Sequence, residues 1–174
     1  MSKTTLKKLL KELDRDQLAE VLLELYDARK DAREYLEYFV SPNENAMLEK
    51  YKAVILKEFF PAKGRARTRT SVCKKAIKEF TTLHPSPRLI ADLKMHLVEC
   101  IARYAVATRS WVKESVENTW RQTFDDALNY MYANDLLDES MERINKVLST
   151  AKGLRGPLRH VLPEVYENFV STVV

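Results

Sequence analysis

The chain has 174 residues, of which 45% are hydrophobic and 31% are charged, and its formal net charge is +4. This balance excludes a disordered chain, and the length suffices for a core that needs neither disulfides nor metals. The sequence has only three glycines, which favours long helices over a turn-rich β fold. It contains no apolar run typical of a signal peptide or membrane span, and its two cysteines fit buried, reduced thiols. We therefore expect a cytoplasmic protein.

The positive charge is concentrated in the middle of the chain. Residues 51–100 hold eleven Lys or Arg against four Asp or Glu, whereas the rest of the chain has a balance of −3. A basic segment within a mildly acidic frame carries information about binding partners and none about the fold.

In the first half, apolar spacing predicts three helices. A short one carries the leucines between Leu6 and Leu13. A long one begins at Asp14, which forms a capping-box pattern with Gln17, and runs to about residue 40. The third begins in the Ser-Pro-Asn-Glu stretch at residues 41–44 and ends near residue 59, because Pro61 cannot continue a helix.

In the second half, helix starts are marked by small polar residues or proline and helix ends by glycine or proline. The predicted starts are Thr70 or Ser71, the segment 84–87, Ser110, Asp138 and Pro157, with a break near residues 134–137 and a C-terminal cap at Gly153. Pro163 either kinks the last helix or marks its first turn.

Together these elements predict an all-α fold of about eight antiparallel helices. We expect one elongated bundle over residues 1–174, with a basic link at residues 61–71 between two helical halves. A solenoid of helical repeats is the alternative, because the triplet Lys57-Glu58-Phe59 recurs as Lys78-Glu79-Phe80, twenty-one residues later.

The basic link is the main candidate for a binding site. If it is extended, the side chains of Arg65, Arg67 and Arg69 point the same way at intervals of about 6.6 Å and could contact a row of anions. The helix start that follows adds unpaired N–H groups and a favourable dipole. The predicted anion- or partner-binding residues are Lys63, Arg65, Arg67, Arg69, Ser71, Lys74 and Lys75. The alternative interpretation is an exposed loop whose charges serve only solubility.

Other patterns give little support to catalysis or metal binding. His96 and Cys100 are four residues apart, a spacing that could supply two metal ligands, but a packed histidine beside a packed thiol is preferred because further ligands are missing from the pattern. The sequence carries no nucleophile elbow, phosphate-binding loop or zinc motif, so we expect no catalytic residue, metal or cofactor. Trp120 is predicted to lie in the core, and Trp111 to be exposed as a contact residue.

One stretch of the chain has a recognisable sequence pattern. It consists of Asn43-Glu44, Tyr51, Lys57-Glu58-Phe59-Phe60-Pro61, Gly64-Arg65, Ser71 and Lys74-Lys75-Ala76-Ile77. In these residues the chain resembles a bacterial family of small all-helical proteins known only as a domain of unknown function. The resemblance extends from about Leu6 through the last helix. It implies an all-helical fold and a bacterial origin, and it adds no catalytic residue.

These observations favour a non-catalytic helical adaptor that docks an acidic protein partner through the basic loop and the following helix N-terminus. Weak, sequence-nonspecific binding of nucleic acid is the second hypothesis, although no aromatic residue for base stacking lies between Gly64 and Ile77. The third is an uncharacterised enzyme, which would require a deep pocket of convergent polar side chains, for which His96 and His160 are candidates.

Overall fold

A computed structural model describes residues 2–41 and 43–173 of the chain. Within these residues the fold is all-α, as predicted, with nine helices and no strand. The helices are α1 (Lys3–Glu12), α2 (Arg15–Ala28), α3 (Lys30–Val40), α4 (Glu44–Phe59), α5 (Thr70–Thr82), α6 (Pro87–Ala107), α7 (Glu114–Ala133), α8 (Leu137–Lys152) and α9 (Leu158–Val173). None of the helices in these two ranges is long and apolar enough to cross a membrane.

The chain divides into two compact units, residues 1–43 and residues 44–174. The first contains α1 to α3 and the second contains α4 to α9. The basic link connects α4 to α5 and therefore lies inside the second unit, so the division falls at residue 43 and not at the link. That residues 1–174 form a single domain stays a prediction.

In the first unit, the predicted long helix is two helices. Arg29 has extended backbone angles, φ −134° and ψ 114°, and separates α2 from α3. At this break the Tyr26 carbonyl accepts a hydrogen bond from Arg33 Nε at 3.3 Å. The helices then pack on each other, and the Tyr26 hydroxyl donates to Glu37 at 2.9 Å. This break accounts for nine helices where eight were expected.

The core of the second unit is built around α6, which packs against α4, α5, α7 and α8, while α9 packs on α7 and α8. Because neighbours surround α6, its apolar positions are buried on more than one face. Trp120 of α7 is fully buried, as predicted, and its Nε1 donates to the Val98 carbonyl at 3.0 Å. Trp111 is 67% exposed, also as predicted.

The helix boundaries in the second unit follow the predictions at some positions and differ at others. The break at residues 134–137 and the terminal position of Gly153 are confirmed. The predicted cap at Ser110 is wrong, because Ser110 has φ +68° and its Oγ accepts the Arg155 N–H at 2.7 Å, while α7 begins only after Lys113.

Two further capping predictions are wrong by one or two residues. Neither Thr70 nor Ser71 is the N-cap of α5; Arg69 occupies that position. Leu136, and not Asp138, precedes the first residue of α8. Pro163 lies inside α9, whose first residue is Leu158.

Candidate functional site

The backbone of the basic link is attached to the last turn of α4. The Glu58 carbonyl accepts hydrogen bonds from the Arg67 and Thr68 N–H groups, both at 3.0 Å. Thr68 has φ +52° and is buried, and its hydroxyl donates to the Arg67 carbonyl at 2.8 Å. This left-handed turn brings the end of the link back toward Glu58.

The Glu58 carboxylate holds the residue that follows the turn. It is 4% exposed, and its Oε2 accepts both the Arg69 N–H at 3.2 Å and Arg69 Nε at 3.1 Å. Oε1 accepts Arg69 Nη2 at 2.7 Å, which completes a bidentate ion pair. The hydrogen bonds from the Arg69 side chain lower the pKa of Glu58, although burial opposes the change. The carboxylate is therefore charged at neutral pH and fixes the link.

The expectation that Arg65, Arg67 and Arg69 point the same way and contact a row of anions is wrong at Arg69. The left-handed turn at Thr68 ends the alternation that the expectation required, and Arg69 is committed to Glu58. Lys63, Arg65 and Arg67 remain exposed and make no ion pair or side-chain hydrogen bond within the part of the chain that the structure describes. The available positive charge of the link thus lies in residues 63–67.

The two predicted lysines of α5 have their own partners. Lys74 Nζ donates to Gln122 Oε1 of α7 at 2.9 Å, and Lys75 Nζ lies 3.4 Å from Glu79 Oε1. Ser71 is exposed in the first turn of α5, which contains no acidic residue. The structure therefore places the seven predicted residues along one loop and the first two turns of one helix, with four of them still available to a partner.

A cleft that the sequence did not indicate begins beside Lys74. It has a volume of about 590 Å³ and lies between α5, α6 and α7. Lys94 lines it and is only 7% exposed; its Nζ contacts Asp126 Oδ2 at 2.8 Å and lies 4.4 Å from the centre of the Tyr130 ring. Helical spacing in the sequence could have indicated that Lys94 is buried, because it lies four residues after Ile90 and three before Leu97 on the buried face of α6.

A second polar cluster joins α4, α6 and α8. Arg143 of α8 contacts Asp92 Oδ1 with Nη1 at 2.6 Å and Glu99 Oε2 with Nη2 at 2.9 Å, and its Nε donates to the other Glu99 oxygen. Lys52 Nζ contacts Asp92 Oδ2 at 2.8 Å. Burial alone would raise the pKa of Asp92, but the hydrogen bonds from Lys52 and Arg143 lower it. This cluster is half-buried and internally paired, so we assign it a structural role.

His96 and Cys100 lie beside this cluster. His96 Nε2 is 3.5 Å from Cys100 Sγ. Burial, followed by the charge of Lys52, lowers the pKa of His96, so the imidazole is neutral at pH 7. Burial raises the pKa of Cys100 to about 11 and that of Cys73 to about 12. Both thiols are buried, as predicted, and the described residues contain no group of three metal-binding side chains.

Comparison with known proteins places the chain in a family. Residues 1–170 match the model of the Family of unknown function (DUF6155), so the chain belongs to this family. No curated protein and no solved structure matches the chain.

Proposed function

We propose that this chain is a non-catalytic adaptor of the bacterial cytoplasm that docks an acidic segment of a partner protein on its basic link. One observation carries the proposal: Arg65 and Arg67 are exposed, make no ion pair within residues 2–41 and 43–173, and lie on a loop whose end is fixed to the buried Glu58. Side chains presented by a fixed backbone lose less conformational entropy on binding than those of a mobile loop. The link thus offers a preorganised pair of guanidinium groups.

The number of available cations favours an acidic protein segment over nucleic acid. Within the link, Arg69 is committed to Glu58, which leaves the charges of Lys63, Arg65 and Arg67. Three charges are few for a nucleic-acid surface, whose affinity grows with each phosphate neutralised. Two guanidinium groups suit one or two carboxylates, which they can bind in bidentate geometry.

A binding role, in contrast to an enzymatic one, is supported by the state of the thiols. The nucleophilic form of cysteine is the thiolate. Because burial raises the pKa of both Cys73 and Cys100 well above neutrality, each remains a protonated side chain of the core.

The test is fluorescence anisotropy with two labelled probes of equal charge, a peptide rich in Asp and Glu and a single-stranded oligonucleotide. We expect the wild-type protein to bind the peptide more tightly than the oligonucleotide at the same salt concentration. The double variant R65E/R67E removes two cations and adds two anions, so its affinity for the peptide should fall by at least about tenfold.

The matched control is R155E/R159E, which makes the same charge change at two exposed arginines outside the link. It should bind the peptide within about twofold of the wild-type protein, apart from the general effect of net charge. Equal losses in the two double variants would show that the link is not the docking site. Tighter binding of the oligonucleotide than of the peptide would favour the nucleic-acid hypothesis instead.

A further inference from the structure

The helical pair α2–α3 carries an open apolar groove in the first unit. The groove has a volume of about 690 Å³ and is lined mainly by Leu22, Leu23, Leu36 and Val40; Tyr26 and Glu37, which are hydrogen-bonded to each other, also line it. Leu23 is 64% exposed and Val40 is 82% exposed. Such a contiguous apolar surface is typical of an interaction site.

Helix α1 has the properties of a ligand for this groove. Leu6, Leu9 and Leu10 follow the spacing of one helical face, and Leu6 and Leu9 are 39% and 48% exposed. Ten residues give a helix of about 15 Å, which is comparable to the length of groove that residues 19–26 and 36–41 provide. In the described structure every residue that lines the groove belongs to α2, α3 or the residue after α3, so α1 of the same chain does not occupy it.

The charges of the two surfaces are complementary. Helix α1 has four lysines and one glutamate, whereas α2 has one arginine and four carboxylates and α3 has two basic and three acidic residues. Lys3 and Lys7 lie one helical turn apart beside the leucine face of α1, and Asp16 and Glu20 lie one turn apart beside the groove. None of these four side chains has an ion-pair partner among the residues that the structure describes.

We propose that two copies of this chain form a dimer in which α1 of each copy fills the α2–α3 groove of the other. Each chain carries both complementary surfaces, the leucine face of α1 and the α2–α3 groove, and leaves both uncovered. When each copy places its α1 in the groove of the other, the two leucine faces and the two grooves are all covered. The same contact is made twice about a two-fold axis, which closes the assembly and prevents a filament. The occupant is therefore a basic, leucine-bearing helix, and it comes from a second copy. This proposal is independent of the proposed function of the basic link.

The test is a charge-exchange experiment on the full-length chain, read out as mass by sedimentation velocity. The wild-type protein should change from monomer to dimer as its concentration rises. The variant K3E/K7E places two acidic side chains of α1 against Asp16 and Glu20, and D16K/E20K places two basic side chains beside the groove against Lys3 and Lys7. Each should raise the dissociation constant by at least about tenfold. An equimolar mixture should restore the dimer, because both contacts of the mixed pair then join opposite charges.

The control is K8E/K11E, which changes the charge of α1 equally on the side away from its leucine face and should dimerise like the wild-type protein. Recovery of the dimer in the mixture separates loss of pairing from loss of folding. A wild-type protein that stays monomeric at every accessible concentration would overturn the proposal. The proposal would also be overturned if K3E/K7E or D16K/E20K alone dimerised like the wild-type protein, or if their mixture remained monomeric.

Discussion

Glu58 determines how the basic link presents its charge. Its carbonyl and its carboxylate together hold Arg67, Thr68 and Arg69, so one buried residue at the end of α4 fixes the whole end of the loop. The sequence indicated the basic residues but not this contact, because an ion pair across eleven residues depends on the left-handed turn at Thr68. A single threonine with positive φ follows from tertiary contacts, and local sequence rarely predicts it.

The variant E58Q tests this role. The neutral amide keeps the shape of the side chain but loses the charge-assisted bonds to Arg69, so we expect the free energy of unfolding to fall by about 1–2 kcal/mol. Urea denaturation at pH 7 measures the change. E49Q is the control, since the Glu49 side chain is 71% exposed and its loss should cost less than about 0.5 kcal/mol.

E58Q also tests whether a fixed loop is needed for docking. The variant keeps Arg65 and Arg67 but loosens the backbone that presents them, so its affinity for the acidic peptide should fall by about threefold to tenfold. Unchanged affinity in E58Q, together with weakened binding in R65E/R67E, would mean that the charges act without preorganisation.

His96 gives the protein a predictable dependence on pH. Burial and the charge of Lys52 lower its pKa in the folded state below the ordinary value of 6.5. Between that lowered pKa and 6.5 the unfolded chain binds more protons than the folded one, so stability falls as the pH falls through this window. Urea midpoints measured at pH 7 and pH 5.5 should differ more in the wild-type protein than in H96Q, which has no imidazole. A larger fall in H96Q would contradict the assignment.

At the scale of helices, most boundaries follow from short-range signals. Apolar spacing, prolines and the capping box at Asp14 located α1, α4, α6 and the start of α2. The break at Arg29 was missed, because Ala28-Arg29-Lys30 contains no glycine or proline and the break is accompanied by the Arg33 contact with the Tyr26 carbonyl. Acidic residues at positions 92 and 99 of α6 were visible at helical spacing, but their partner Arg143 is more than forty residues away.

Arg143 joins α8 to α6, and its removal should weaken that contact. R143M leaves the half-buried Glu99 without its ion pair, and we expect a loss of roughly 2–3 kcal/mol in the free energy of unfolding. R121M is the control. Both side chains of the Arg121–Glu164 ion pair are exposed, so this pair should contribute less than about 0.5 kcal/mol to the free energy of unfolding. Chemical denaturation of both variants, with E99Q and the double variant R143M/E99Q, gives the coupling energy directly.

At the scale of the whole chain, side-chain burial differs sharply between the two units. Every buried residue in the described part of the chain lies in the second unit, and α1, α2 and α3 contain none. The sequence did not indicate this difference, because both units carry apolar residues at helical spacing and burial depends on which faces meet. The seven predicted site residues all belong to the second unit, whereas the proposed dimer contacts belong to the first.

This difference predicts how fragments of the chain behave. A fragment of residues 44–174 should fold alone and unfold cooperatively on heating, because it retains the complete core of α4 to α9. A fragment of residues 1–43 should show little helix by circular dichroism in dilute solution, since short helices without buried contacts are marginal in water. Non-cooperative melting of the larger fragment would contradict the assignment of the core.

Because Cys73 and Cys100 are buried, the rate at which they react with a reagent in solution measures how often the second unit opens locally. An alkylating reagent reacts with a cysteine that is exposed to solvent and ionised to the thiolate. In the folded protein, burial keeps both thiols away from solvent and raises their pKa, so both stay protonated. The rate of labelling at each cysteine, followed by mass spectrometry, therefore reports how often α5 or α6 separates from its neighbours. A bound partner that slowed labelling at Cys73 alone would reveal that docking at the neighbouring link restrains α5, without any change to the chain itself.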